Sequence, residues 1–390
     1  MKKFILSLLF ICLLASNFNL FGAYKVDLSS PPENRWTAIV DQYDKDELRH
    51  YAAMIDQSMI DVSDVFGFTW VRELIMTYGW YSSMDTDQEW FKDLRAEVKG
   101  LAEALKGRVG GESLRGFKEE DLFLLNIGYD FSTYCTTGVF QSEQGPILFR
   151  NLDWEGDDYR KFAFEVDFEK NGKSLFRSIQ FLGQVGLFTA MKPEEYAVAL
   201  NYRKTPGTGS FGWEIINNFS QYVFKDGWSS SFLLRYTLEH DADYSRAKNR
   251  LESTQLIAPC YYILAGKSQG EGVVMERARN TVHTRSFIDP LENPKFLVQT
   301  NHDIPRPADQ DESWAGDDVL LSESMGMGTI ARRETAVKFL ETIDEANLDT
   351  ELILMLTKQF PVFNPLTIFS LVLTPFENKL EWIAHEADKQ

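Results

Sequence analysis

The sequence predicts an α+β fold in which stacked sheets are flanked by helices, with a helical segment ahead of them. Two observations carry this. Before residue 111, apolar residues recur at spacings of three and four; after residue 135, short β-favouring runs bounded by turn signals alternate with helix pairs.

In chain order, Met1-Lys2-Lys3 and the apolar run Phe4 to Leu14 have the layout of a secretory signal, with Ala15, Ser16 or Ala23 as cleavage points. That run has 11 residues, against the roughly 20 of a membrane-spanning helix. The expectation is a signal peptide over 1–23; the competing reading is a permanent N-terminal anchor. Phe91, Leu94, Val98, Leu101 and Leu105 form one apolar stripe on a helix ended by Gly110-Gly111, and ordinary core packing accounts for it. A further apolar helix around Asp121 to Asp130 leads into Thr133-Tyr134-Cys135.

Thr136–Phe140 and Pro146–Phe149, joined by the turn Glu143-Gln144-Gly145, read as a hairpin. Strands follow at Phe162–Phe168, Ser174–Ile179 and Ala197–Leu200, then helices near Phe232–Glu239 and Tyr244–Ser253. Tyr261–Leu264 and Val273–Arg277 make a second hairpin. A strand at Phe296–Thr300, a helix from about Ile330 to Ile343, and strands at Thr367–Thr374 and Leu380–Trp382 complete the series.

With 390 residues, 44% hydrophobic, the chain has enough apolar matter for one large domain or two modest ones, and no linker or repeat divides it. A net charge of −18 argues against nucleic acid as a partner. Of three cysteines, Cys12 leaves with the signal, so Cys135 and Cys260 remain. A lone cysteine with Asn, Asp or His partners elsewhere is a candidate nucleophile, although buried filler is an equally ordinary use.

A break between Tyr134 and Cys135 would give one residue a thiol and a free α-amine. The thiol is a strong nucleophile, and the amine, with an ordinary pKa of about 7.7–8.0, is a built-in base. The hairpin returns Arg150 and Asp153 beside Cys135; taken alone, the pair also reads as a surface ion pair.

Several stretches resemble the acid ceramidase and N-acylethanolamine-hydrolysing acid amidase family, within the wider N-terminal-nucleophile, cholylglycine hydrolase-like group. Cys135-Thr136-Thr137-Gly138-Val139 is similar to the family's Cys-Thr-Ser-Ile-Val, and Phe149-Arg150-Asn151-Leu152-Asp153 to its Gly-Arg-Asn-(Met/Leu)-Asp. Ile257-Ala258-Pro259-Cys260-Tyr261-Tyr262-Ile263-Leu264-Ala265-Gly266 resembles Leu-Ala-Pro-Ala-Tyr-Phe-Ile-Leu-Gly-Gly. Val298-Gln299-Thr300-Asn301-His302-Asp303 resembles Val-Gln-Thr-Asn-Tyr-Asp, and Arg332-Arg333-Glu334-Thr335-Ala336 resembles Arg-Arg-Thr-Pro-Ala. Tyr24-Lys25-Val26-Asp27-Leu28, through Pro31-Pro32 to Arg35-Trp36, is of acid-ceramidase type, and agreement keeps the same order from about Tyr24 to Glu381.

The resemblance implies a four-layer αββα sandwich made as a precursor, with a helical α-subunit over 24–134, a catalytic β-subunit over 135–390, and the pair held as an α/β heterodimer. It implies that Cys135 is the nucleophile, that Arg150 orients substrate and favours the thiolate, and that Asp153 hydrogen-bonds the α-amine. Asn301 would donate to the oxyanion, and Arg332, rather than Arg333, would complete the network. The implied substrate is a lipid N-acyl amide, ceramide or N-acylethanolamine, with a transient membrane or lipid-presenting helper and no cofactor. The implied location is secreted, lysosomal or periplasmic.

One position departs from the pattern. The family's Leu-Asn-Glu-Arg stands here as Leu200-Asn201-Tyr202-Arg203, so a carboxylate tied to self-cleavage is replaced. Bile-salt hydrolases and penicillin V acylases also carry an aromatic there, which keeps Asn201 and the Tyr202 backbone amide among the site residues. It also keeps open an acylase of bile-salt, penicillin or acyl-homoserine-lactone type, and a lipid-binding homologue that never matures. Cys260 reads as filler and His302 as a partly buried polar neighbour. No residue cluster has metal-ligand spacing, and Gly207 and Gly209 lack the context of a phosphate loop. Asn218-Phe219-Ser220 matches a glycosylation sequon. Trp70, Trp80 and Trp90 fit either a membrane-touching entrance or core filling.

Overall fold

The computed structural model describes residues 23–66, 89–110, 119–128, 134–154, 157–203, 227–287, 295–304, 328–343 and 350–385. The expected signal, Trp70, Trp80, Gly207, Gly209 and the sequon at Asn218 lie outside them.

The strands are β1 (Tyr24–Asp27), β2 (Tyr134–Gln141), β3 (Pro146–Asp153), β4 (Ala163–Lys170), β5 (Lys173–Phe181), β6 (Thr189–Lys192), β7 (Tyr196–Tyr202), β8 (Cys260–Gly266), β9 (Gly272–Arg277), β10 (Val282–Ser286), β11 (Phe296–Gln299), β12 (Thr367–Thr374) and β13 (Lys379–Ala384). The helices are α1 (Thr37–Val40), α2 (Lys45–Phe66), α3 (Glu89–Val109), α4 (Glu119–Gly128), α5 (Ser230–His240), α6 (Tyr244–Ser253), α7 (Thr329–Glu341) and α8 (Thr350–Leu356).

They assemble into two sheets, one of eight strands in the order β1-β4-β5-β6-β7-β8-β9-β10 and one of five in the order β11-β2-β3-β12-β13. The inner faces meet through β2 and β3 against β7 and β8. α7 and α8 cover the outer face of the small sheet, over a core that includes Phe140, Phe149, Val298 and Leu340. α5 packs on β5, β6 and β7, α6 on β8, and α4 on α5. This is the expected four-layer αββα sandwich.

Local chemistry explains several boundaries. Asp243 caps α6 by accepting from the Arg246 amide at 2.9 Å. Gly110, at φ 88°, turns the chain out of α3 in the left-handed conformation that glycine adopts at no steric cost.

The segment ahead of Cys135 is not helical throughout. β1 pairs in parallel with β4, Tyr24 opposite Val166, and so adds an edge strand to the large sheet. Further along, Glu97 on α3 is 1% exposed. It accepts from Arg35 at 2.6 Å, from the Trp36 indole at 2.8 Å and from Arg235 of α5 at 2.9 Å. Trp90 stacks on Trp228, meets Phe91 and Tyr236 edge-on, and donates to Glu239 at 2.9 Å. That tryptophan fills the seam between α3 and α5. Cys260 is buried in β8 as filler, and neither it nor Cys135 is in a disulfide. Among the described residues no helix is long and apolar enough to cross a membrane.

Candidate active site

Strand alternation sorts the site residues onto two faces. In the β2–β3 hairpin Tyr134 lies opposite Asp153, Cys135 opposite Leu152, Thr137 opposite Arg150 and Gly138 opposite Phe149. Because successive side chains point to opposite faces, Cys135, Thr137 and Arg150 look into the space between the sheets. Thr136, Phe149, Asn151 and Asp153 look outward, towards α7 and α8. Asn151 anchors that outer face by donating to the carbonyls of Thr357 and Val362 at 2.9 and 2.8 Å.

On the inner face, Arg150 donates through Nη2 to the Cys135 sulfur at 3.1 Å and to the Leu200 carbonyl at 2.7 Å. Its Nη1 donates to the Thr189 hydroxyl and the Phe188 carbonyl. Both Cys135 and Arg150 are fully buried. The guanidinium is therefore fixed by the large sheet and held against the sulfur as a preset cation.

Two further side chains hold the backbone of Cys135. Its N–H donates to Asn301 Oδ1 at 2.9 Å, and its carbonyl accepts from Arg332 Nη1 at 2.7 Å. Arg332 Nη2 donates to the same Asn301 oxygen at 3.0 Å. Asn301 Nδ2 donates to the Tyr202 carbonyl at 2.9 Å, so in the intact chain this amide is occupied. Thr329, at the start of α7, accepts from the Asn301 backbone N–H at 2.9 Å and ties the helix carrying Arg332 to the strand end carrying Asn301. Arg333 is half-buried and makes none of these bonds to Cys135 or Asn301.

Asp153 lies on the outer side of this wheel. Its carboxylate accepts from Thr367 at 2.7 Å and from Asn364 at 3.0 Å, and it lies 3.6 Å from Arg332. Burial pushes its carboxyl up; Arg332, Thr367 and Asn364 pull it down without cancelling the rise. In the intact chain Asn301 holds the Cys135 nitrogen, and Asp153 reaches the nucleophile's carbonyl through Arg332.

Asn201 stitches the two sheets together. It accepts from Thr137 at 2.8 Å and donates to the carbonyls of Gln299 and Thr300 at 3.0 and 3.3 Å. Tyr202 is half-buried and contributes its carbonyl. His302 is half-buried too, with Nδ1 near the hydroxyls of Thr300 and Thr329 at 3.1 and 3.0 Å. Burial, then the charges of Arg333 and Arg332, push its imidazole down to about 4, which leaves it neutral and a poor second base. Burial alone would raise Asp303, but hydrogen bonds from Arg203 at 2.6 and 2.5 Å and from Tyr261 at 2.6 Å hold it below the usual carboxylate range.

Sequence reasoning passed over Thr189, Asn364 and Thr367. Asn364-Pro365 before a β-favouring run is a turn signal. The Asn364 carbonyl accepts from the Thr367 amide at 2.9 Å and its side chain from the Leu366 amide at 3.0 Å. That local turn aims both side chains at a carboxylate more than 200 residues earlier.

One buried cysteine thus has its nitrogen, carbonyl and sulfur each held by a different side chain, from three separate elements. No family profile matches the chain. Among curated proteins, the N-acylethanolamine-hydrolyzing acid amidase of Oryctolagus cuniculus is 29% identical over 353 residues, spanning 90% of this chain and 86% of the relative. The Caenorhabditis elegans protein of that name is 27% identical over 365 residues, spanning 90% and 88%. The acid ceramidase of Mus musculus is 28% identical over 313 residues, 73% of each chain. Among solved structures, the Caenorhabditis elegans N-acylethanolamine-hydrolyzing acid amidase ortholog superimposes with a TM-score of 0.52 at 30% identity, covering 62% of this chain and 93% of that one. The chain belongs to the family of N-acylethanolamine-hydrolysing acid amidases and acid ceramidases.

Proposed function

We propose that this chain is an amidohydrolase that cuts itself before Cys135 and then uses Cys135 to hydrolyse lipid N-acyl amides, ceramide or an N-acylethanolamine, to a fatty acid and an amine. The observation that carries the reading is the triple hold on Cys135: Asn301 on its nitrogen at 2.9 Å, Arg332 on its carbonyl at 2.7 Å and Arg150 on its sulfur at 3.1 Å.

In the first step the Cys135 sulfur attacks the Tyr134 carbonyl carbon. The S–C bond forms, the C–N bond to Cys135 breaks, and the thiol proton passes to the departing nitrogen. Water then cleaves the thioester, leaving a Tyr134 carboxylate and a free Cys135 amine. In turnover the amine takes the thiol proton and gives it to the leaving amine of the substrate, while sulfur holds the acyl group as a thioester. Water, deprotonated by the same amine, releases the fatty acid. Asn301 Oδ1 orients the amine, and Nδ2, freed from the Tyr202 carbonyl, is the oxyanion donor. With tyrosine at 202, the carboxylate nearest this wheel is Asp153.

The Lys2-Lys3 start and the apolar core that follows support export, to a secreted, lysosomal or periplasmic location. The two products of the cut stay together as a heterodimer. N-terminal sequencing after incubation at neutral and mildly acidic pH, together with a panel of N-acyl amides of varied head group, tests the reading. A fragment beginning at Cys135 and amide hydrolysis are expected, and both vanish in Cys135→Ala. Activity that survives Cys135→Ala, or a wild-type chain that neither matures nor hydrolyses any amide, sinks it.

A further inference from the structure

Beside the nucleophile lies a small cavity lined by Leu125, Trp154, Tyr159, Phe181, Gln184 and Phe188. It holds about 10 Å³, room for about one water-sized group. Five of the six walls are aromatic or aliphatic. The sixth, Gln184, is 2% exposed, and neither its amide nitrogen nor its amide oxygen has a hydrogen-bond partner. A buried carboxamide in an aromatic slot is costly unless something pairs with it.

The side chain has little freedom to escape. Gly183, at φ 87°, begins a loop pinned by Asn126 of α4, which accepts from the amides of Val185 and Gly186 at 2.6 and 2.9 Å and donates to the Gly183 carbonyl at 2.9 Å. The cavity adjoins the reaction centre through its walls. The Phe188 carbonyl accepts from the arginine that contacts the Cys135 sulfur, and Trp154 directly follows Asp153.

We propose that Gln184 recognises a hydroxyl group carried on the acyl chain of the substrate. This deepens the amidase reading and rests on it. A hydroxyl matches the free space in size, accepts from the amide N–H and donates to the amide oxygen. A keto oxygen uses only the N–H, and a plain methylene chain leaves both atoms unpaired. The aromatic walls suit the methylenes on either side. The preferred substrates are therefore amides of hydroxylated fatty acids.

The test compares kcat/KM for N-acyl amides of one head group and chain length, with the hydroxyl moved along the chain, its keto analogue, and the plain chain, for wild type and Gln184→Leu. In parallel, calorimetry measures binding of the corresponding free acids to the matured proteins. Wild type is expected to favour one hydroxylated isomer over the plain chain by roughly ten- to a hundredfold in both assays, and Gln184→Leu to bring that ratio to about one. The variant should also melt higher than wild type, since an unpaired buried amide is gone. Equal ratios in the two proteins, or no preference in wild type because a water alone pairs with the amide, overturn the proposal. So does a lower melting point in Gln184→Leu with the ratio unchanged. Should wild type hydrolyse no amide yet bind the hydroxy acid selectively through Gln184, the amidase reading falls and the recognition site stands.

Discussion

Exchanging the side chains at Gly138 and Phe149 tests how the hairpin beneath Cys135 is held. The two residues face each other across β2 and β3, and the similar family stretches carry isoleucine and glycine there, the reverse distribution of bulk. A Cβ placed on Gly138 would lie 2.5 Å from two ring carbons of Phe149 and 2.9 Å from the Leu297 carbonyl oxygen, so the ring occupies the space a side chain would need. Gly138→Ile alone therefore overpacks a closed layer, at a cost of about 1–3 kcal/mol or more. Phe149→Gly alone empties the core under α7 and α8, at about 3–5 kcal/mol or more by analogy with Phe→Ala. In the double variant the new side chain fills the vacated ring space, and the loss should fall short of the sum of the singles by at least about 1 kcal/mol. Recovery stays partial, because the Leu297 carbonyl belongs to β11 and does not leave with the ring. Urea midpoints on the Cys135→Ala background, where the chain stays intact, measure all four corners of the cycle. Additivity within about 0.5 kcal/mol would show that the two positions do not share one space and would refute the argument.

Three further outcomes are expected. Asn301→Ala removes both the partner of the Cys135 nitrogen and the oxyanion donor, so single-turnover acyl transfer should slow by roughly 10² to 10³, and the Cys135 fragment should accumulate more slowly. Asn364→Leu removes one of the donors that pull the Asp153 carboxyl down, so the acidic limb of the kcat/KM profile should move to higher pH; an unmoved limb would show that Asp153 does not govern it. His302, with a folded value of about 4 against an ordinary 6.5, is protonated more readily when unfolded. It therefore adds stability above the ordinary value that is lost as pH falls towards 4. His302→Tyr should flatten the thermal midpoint of the intact chain over that window.

Much of the scaffold is local and so was legible in the sequence. The β2–β3 hairpin, the stripe on α3, α6 and β12 follow from spacing and turn residues, because each is settled by neighbours within a few positions. β1 and β6 were not legible. Each has four residues, too few for a pattern, and β1 gains its place only by pairing with a strand some 140 residues later. Arg150 beside Cys135 followed from hairpin return. The opposite placement of Asp153 follows from alternation, yet its partners Asn364 and Thr367 are set by a turn whose aim depends on the whole small sheet. Asn301 was named for its amide nitrogen, whereas the intact chain uses its oxygen on the Cys135 nitrogen. Which end of an amide faces a partner is a matter of tertiary geometry.

The Glu97 cluster has a consequence for what a cut at Cys135 can do. Two arginines and an indole from both sides of that bond converge on one buried carboxylate, and β1 is zipped into a sheet built mostly from the later part of the chain. Separation would strand Glu97, Arg35 and Arg235 without partners in a dry interior, a barrier that does not depend on the peptide link. Scission therefore releases a chain end at Cys135 without releasing a diffusing fragment, and maturation is a one-way gate through which a single particle passes whole.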